Sequence, residues 1–246
     1  MLYLKTNALK RPHGFSLRNG GVSTGTFASL NLATKWGDSP EHVAENTRRL
    51  AAEAGFDVQR LFVAKQVHGR EVCAVDASST QALVAATDAD ALVTGDRNTV
   101  LGIRTADCVP VLLASDHEIV GAAHAGWRGV AAGVVTATLD EMAARGAPPE
   151  SLSAAIGPHI CLECFEVGED VAKQFDQIAP SCVVRGDGQK PRIDLGAAVH
   201  LQLLESGVSP ARIERVNACT KHEASRFFSF RREGEKTGAH LSFIQL

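Results

Sequence analysis

The chain has 246 residues, 45% of them apolar and 22% charged, an ordinary globular balance long enough to bury a substantial core. Its 25 basic and 28 acidic side chains leave a net charge of −3. No cationic excess exists to hold a phosphate backbone, so a nucleic-acid partner is not expected, whereas small anionic ligands are not excluded.

The opening Met1-Leu2-Tyr3-Leu4-Lys5 turns polar within a few positions, and no run approaches the ~18 apolar residues of a spanning helix. Neither a signal peptide nor a membrane segment is expected. The six cysteines are expected to be reduced thiols of a cytoplasmic protein. Residues 14–18 read as a strand that runs into a Gly/Ser turn at 20–25. Ser39 is a fitting N-cap for a helix that Pro40 opens and Gly55 stops. Six strand-like segments follow, at 61–64, 72–75, 91–94, 100–103, 109–113 and 119–123. Several are continuous apolar runs, as in strands covered on both faces. Residues 129–144 read as one Ala/Val-rich buried helix, 152–156 as a strand ended by Gly157-Pro158, and helices are expected around 168–177 and 195–206. Strand character returns at 213–216, 227–229 and 241–244. The alternation predicts one α/β-type domain over residues 1–246, with a large mixed sheet or two packed sheets.

Three residues carry chemistry. They are His68 in Lys65-Gln66-Val67-His68-Gly69, Cys108 in Arg104-Thr105-Ala106-Asp107-Cys108, and His124 in His124-Ala125-Gly126-Trp127-Arg128-Gly129. Each lies at the end of a predicted strand, where sites in such folds are built. Two imidazoles and a thiol are a ligand set for a catalytic zinc, which keeps three protein ligands and one open position. The same groups also suit a Cys/His nucleophilic site. Separations of 40 and 16 residues match no short zinc motif. Gly126 and Gly129 would let backbone approach a ligand closely.

Asp107 is a candidate to orient an imidazole, or else a turn cap. Arg48, Arg104 and Arg128 are candidate anion ligands, together with the amides at 126–129. Glu166 is a candidate acid/base residue, and equally a helix-start charge. Asp88 and Asp90 read as turn or cap residues. Cys161-Leu162-Glu163-Cys164 reads as a pair of incidental or buried thiols, because Cys182 and Cys219 supply no second pair for a zinc ribbon.

At these motifs the sequence resembles the YfiH-type family, variously labelled multicopper polyphenol oxidase (laccase), purine nucleoside phosphorylase and peptidoglycan editing factor. The resemblance runs from Gly14-Phe15-Ser16 and Ser29-Leu30-Asn31-Leu32 through Gln66-Val67-His68-Gly69, Ala106-Asp107-Cys108-Val109-Pro110 and the His124 motif. It continues through Ile156-Gly157-Pro158 and Phe165-Glu166-Val167-Gly168 to Phe227-Phe228-Ser229-Phe230-Arg231-Arg232. It implies an α+β fold layered α/β/β/α with mixed sheets, related to cysteine-hydrolase-like toxins, and zinc rather than copper at His68, Cys108 and His124. It implies phosphorolysis of adenosine, inosine and methylthioadenosine, adenosine deamination as a second activity, and nucleoside and phosphate as partners of a monomer. Some members are instead assigned to removing L-Ser from UDP-MurNAc-L-Ser. Phe165, Phe230 and Ala239 stand where the family often has Tyr, Tyr and Arg. A multicopper oxidase needs many His-x-His pairs, and this chain has nine histidines and no such pair.

Overall fold

All residues, 1–246, are described by the computed structural model. In chain order its strands are β1 (Tyr3–Leu4), β2 (His13–Ser16), β3 (Leu61–Phe62), β4 (Val72–Val75), β5 (Ala91–Thr94), β6 (Val100–Thr105), β7 (Val109–Ser115), β8 (Val120–Ala125), β9 (Leu152–Ile156), β10 (Val183–Val184), β11 (Arg192–Ile193), β12 (Ile213–Arg215) and β13 (His240–Gln245). The helices are α1 (Pro40–Ala54), α2 (Gln81–Ala86), α3 (Trp127–Ala132), α4 (Val134–Ala144), α5 (Glu169–Ile178), α6 (Leu195–Glu205) and α7 (Phe230–Glu233).

Two mixed sheets result. The larger has the order β12-β9-β7-β8-β5-β4 and the smaller β1-β2-β13-β6-β3, while β10 and β11 form a separate ribbon. Alternation along β7 explains how the sheets stack. Val111 and Leu113 point to one face and pack with Leu139 and Met142 of α4, Val199 and Leu203 of α6, and Phe175 of α5. Leu112 points to the other face, where it meets Phe15, Leu101, Ile103 and Ile244 of the smaller sheet. The smaller sheet's far side is closed by Leu50 and Ala51 of α1 against Leu241 and Phe243. The chain is therefore layered α/β/β/α. Every residue of β7 is buried, which is why the central strands read as unbroken apolar runs.

Helix α1 begins and ends where its capping residues predict. Ser39 accepts from the His42 N–H at 3.3 Å, and Gly55 takes the left-handed conformation at φ 79°. The helix expected over 129–144 starts two residues earlier and is split in two. Gly133 sits at φ 82° between α3 and α4, a conformation open mainly to glycine. Residues 227–229 are not a strand. The Arg232 guanidinium takes the Thr220, Lys221 and Phe227 carbonyls, and Ser229 caps α7, so local side chains fill the role of a neighbouring strand. No helix is long and apolar enough to cross a membrane.

Candidate functional site

Antiparallel pairing of β7 and β8 opposes Val109 to Ala125 and Pro110 to His124. Cys108, just before β7, and His124, near the end of β8, are thereby brought to one end of the sheet. His68 reaches them from the loop between β3 and β4. One ligand atom from each of His68, Cys108 and His124 lies within 4.8 Å of the others, and the two imidazoles meet edge to face with centroids 4.8 Å apart. Gly126 forms the wall behind them. A Cβ there would stand 3.0 Å from His68 Cδ2 and 3.1 Å from Cys108 Sγ, so any larger residue would push the two donors aside by a few tenths of an ångström.

The next strand supplies the support. Because β5 pairs antiparallel with β8, Ala91 faces Ala123 and Asp90 stands beside His124. His124 Nδ1 is 2.7 Å from Asp90 Oδ1. The same carboxylate accepts from the backbone N–H groups of Val67 (3.1 Å), His68 (3.0 Å) and Gly69 (2.6 Å). Those bonds hold His68 at φ 62°, an uncommon conformation for a side-chain-bearing residue. Burial works against the charge on Asp90, yet bonds from His124, Gly69 and Val67 keep its carboxyl below the ordinary value.

Burial also opposes ionisation of Cys108, but the charge of His124 and bonds from both histidines outweigh it, bringing the thiol down to about 6. Burial alone would lower His124; the Cys108 charge and Asp90 raise it to about 9. A thiolate and two imidazoles, one locked by a carboxylate, are a donor set that fits zinc, with one coordination position left over.

A family model described as multi-copper polyphenol oxidoreductase laccase matches residues 12–246. The chain belongs to this family. It is 38% identical over 244 residues to a purine nucleoside phosphorylase of Deinococcus radiodurans, covering 99% of this chain and 92% of that one. It is 36% identical over 242 residues to an adenosine deaminase from an unknown prokaryotic organism, covering 94% of this chain and 92% of the other. The solved structure of YlmD from Geobacillus stearothermophilus superimposes with a TM-score of 0.92 at 31% identity, covering 99% of this chain and 98% of that one. The Bacillus licheniformis hypothetical protein YfiH gives 0.91 at 31% identity, covering 95% and 92%.

Around these three donors the remaining sequence candidates separate. Asp107 touches neither imidazole. At φ 92° its carboxylate turns to Thr220 Oγ1 (2.5 Å), Ser229 Oγ (3.0 Å) and the Arg231 N–H (2.6 Å), so it anchors the C-terminal segment beside Cys108. The imidazole-orienting carboxylate is instead Asp90, read from sequence as a turn residue; the antiparallel register was the signal for it. Arg48 is not brought to the site: it is exposed on α1 and paired with Glu45 at 2.7 Å. Arg128 is the second residue of α3, four after His124, with its guanidinium 4.2 Å from the Trp127 ring centroid and no carboxylate partner. Arg104 has its backbone clasped by the Gln66 amide, two residues from His68. Glu166 is exposed, and its carbonyl accepts from Arg231 at 2.9 Å. Ala239 is buried with its N–H held by Asn31 at 2.8 Å; no cation is presented there.

The Cys161–Cys164 pair is not isolated. Cys161, Cys164, Cys219 and His222 form a second donor group with ligand atoms within 4.8 Å of one another. The missing second pair is Cys219-x-x-His222, a cysteine with a histidine rather than with another cysteine. Cys182 lies apart, buried in the helix-side core.

Proposed function

We propose that the chain is a purine nucleoside phosphorylase acting on adenosine, inosine and methylthioadenosine, with zinc held by His68, Cys108 and His124 and with adenosine deamination as a second activity. The observation that carries this reading is the convergence of those three donors at one sheet end, in a chain that matches a purine nucleoside phosphorylase along nearly its whole length. The chemistry a zinc ion would supply here is Lewis-acid polarisation of an oxygen. Asp90 keeps the proton of His124 on Nδ1, leaving Nε2 to face the donors, and it fixes the loop that aims His68. Gly126, with no Cβ to press on His68 and Cys108, leaves the three donors room to converge. Arg128, cationic and without an acidic partner, is assigned to the attacking phosphate, and Arg104, on strand β6 with its backbone bonded to the Gln66 side chain, is the second candidate cation. Phosphate attacks the anomeric carbon as the glycosidic bond breaks, and the proton carried by hydrogen phosphate is the one the departing base takes up, with the exposed Glu166 carboxylate assigned to relay it. The absence of His-x-His pairs argues against oxidase chemistry despite the family's label.

A second reading has a specific observation behind it. Cys108, His124 and Asp90 line up as nucleophile, base and orienting carboxylate, which suits hydrolysis of the amide in UDP-MurNAc-L-Ser. A thiolate held on zinc is a poor free nucleophile, so the two readings assign Cys108 incompatible roles. Cys108→Asp separates them: a carboxylate can still ligate zinc, so retained turnover supports the first reading, and lost turnover with zinc still bound supports the second. Incubation of adenosine with and without phosphate divides the purine activities, since adenine with ribose 1-phosphate marks phosphorolysis and inosine with ammonia marks deamination.

A further inference from the structure

We propose that Cys161, Cys164, Cys219 and His222 form a second zinc site, closed and structural, which locks the loop after β9 to the segment after β12. Strand pairing brings the four together. β9 and β12 are parallel neighbours with Ile156 opposite Arg215, and the pairing continues past their ends as an isolated bridge between His159 and Cys219. Each strand then delivers two donors three positions apart, Cys161 and Cys164 from one, Cys219 and His222 from the other.

The packing of the donors already resembles a coordination shell. Cys164 Sγ is 3.0 Å from His222 Nε2, and Cys161 Sγ is 3.7 Å from His222 Nδ1. The Cys161 N–H points at Cys219 Sγ at 3.4 Å. All three cysteines are free thiols. Zinc bonds of about 2.3 Å to sulfur and about 2.0 Å to nitrogen place tetrahedral donors roughly 3.5–3.8 Å apart, so a group spanning 4.8 Å closes by shifts of about 1 Å. Three thiolates and an imidazole select zinc over hard cations. Four protein donors leave no open position, which is the structural rather than the catalytic pattern.

Its place in the fold says what it would hold. Cys219 is followed by Thr220, whose hydroxyl donates to Asp107 next to Cys108. Cys164 precedes Phe165 and Glu166, and the Glu166 carbonyl is bonded by Arg231. The site therefore staples two otherwise irregular segments that frame the reaction centre, without contributing a group to it.

The test uses the full chain purified under reducing conditions, with zinc counted by plasma mass spectrometry. Wild type is expected to carry two zinc ions per chain, Cys108→Ala one, and Cys108→Ala with Cys219→Ser none. In the Cys108→Ala background, cobalt(II) should give a thiolate charge-transfer band that Cys219→Ser abolishes. His222→Ala changes an exposed position, so it should stay folded, bind the second zinc at least about 10–100-fold more weakly, and melt at lower temperature. One zinc in wild type with Cys161 and Cys164 freely alkylated, no zinc in Cys108→Ala, or a Cys161–Cys164 disulfide under these conditions would each overturn the proposal. None of these readouts depends on turnover, so they stand or fall separately from the phosphorylase reading.

Discussion

Replacing Asp90 with Asn is the most informative perturbation of the site. The wild-type carboxylate is fully buried and accepts four bonds. Oδ1 takes His124 Nδ1 at 2.7 Å and the His68 N–H at 3.0 Å; Oδ2 takes the Val67 and Gly69 N–H groups at 3.1 and 2.6 Å. A carboxamide has one acceptor oxygen, so two donors keep a partner and two confront an NH2 group. Buried donors left unpaired cost about 1–3 kcal/mol each, giving a loss of about 2–6 kcal/mol. At roughly 2–4 °C per kcal/mol for a chain of this size, the melting temperature should fall by roughly 4–24 °C. Should the NH2 face His124, its proton must move to Nε2, the nitrogen assigned to zinc. Loss of such a supporting carboxylate weakens metal binding about 10–100-fold. Differential scanning calorimetry and chelator competition measure the two quantities. Wild-type melting together with wild-type zinc affinity in Asp90→Asn would refute the reasoning.

Four further perturbations rest on the same contacts. His159 and His240 are held at about 4 by burial, against an ordinary value of 6.5, and each is hydrogen-bonded as a neutral ring, His159 between Gly157 O and Arg215 and His240 to the Phe228 N–H. Between pH 6.5 and 4 the unfolded chain binds protons that the folded one does not, so their contribution is complete above 6.5 and drains away toward 4. At 1.36 kcal/mol per pH unit of displacement each accounts for about 3 kcal/mol; denaturant midpoints should fall steeply across that window, and a flat profile would contradict the assignment. Gly126→Ala sets a methyl 3.0 Å from His68 and 3.1 Å from Cys108, and should lower kcat/KM at least about tenfold by displacing the donors; full activity would remove Gly126 from the account. Arg128→Ala should raise KM for phosphate about 10–100-fold, the scale of one charge-assisted contact, with little change for inosine. Arg48→Ala, on the solvent face of α1, should leave both constants unchanged.

Strand and helix positions were largely legible because burial on both faces leaves unbroken apolar runs, and because Ser39, Pro40 and Gly55 mark the ends of α1 by local chemistry alone. The break at Gly133 was not, since a single glycine inside an Ala/Val-rich run is equally compatible with a continuous helix. Nor was the irregular path of 227–229, which depends on Arg232 reaching three carbonyls across the turn. His68, Cys108 and His124 could be picked out by residue type and strand-end position. Asp90 could not, because its role exists only once β5 is set in register against β8. The Cys219-x-x-His222 partner of Cys161-x-x-Cys164 was present as a motif, but the two halves lie 55 residues apart and meet only through the parallel pairing of β9 and β12.

The central claim, that His68, Cys108 and His124 form one nucleoside-cleaving centre, is tested most directly by following inosine in phosphate buffer with protein of measured zinc content beside its Cys108→Ala variant. The account predicts hypoxanthine and ribose 1-phosphate in proportion to zinc at this site, absent without phosphate and lost in Cys108→Ala. Zinc-loaded wild type that releases neither product, or a variant that keeps full turnover, would contradict it.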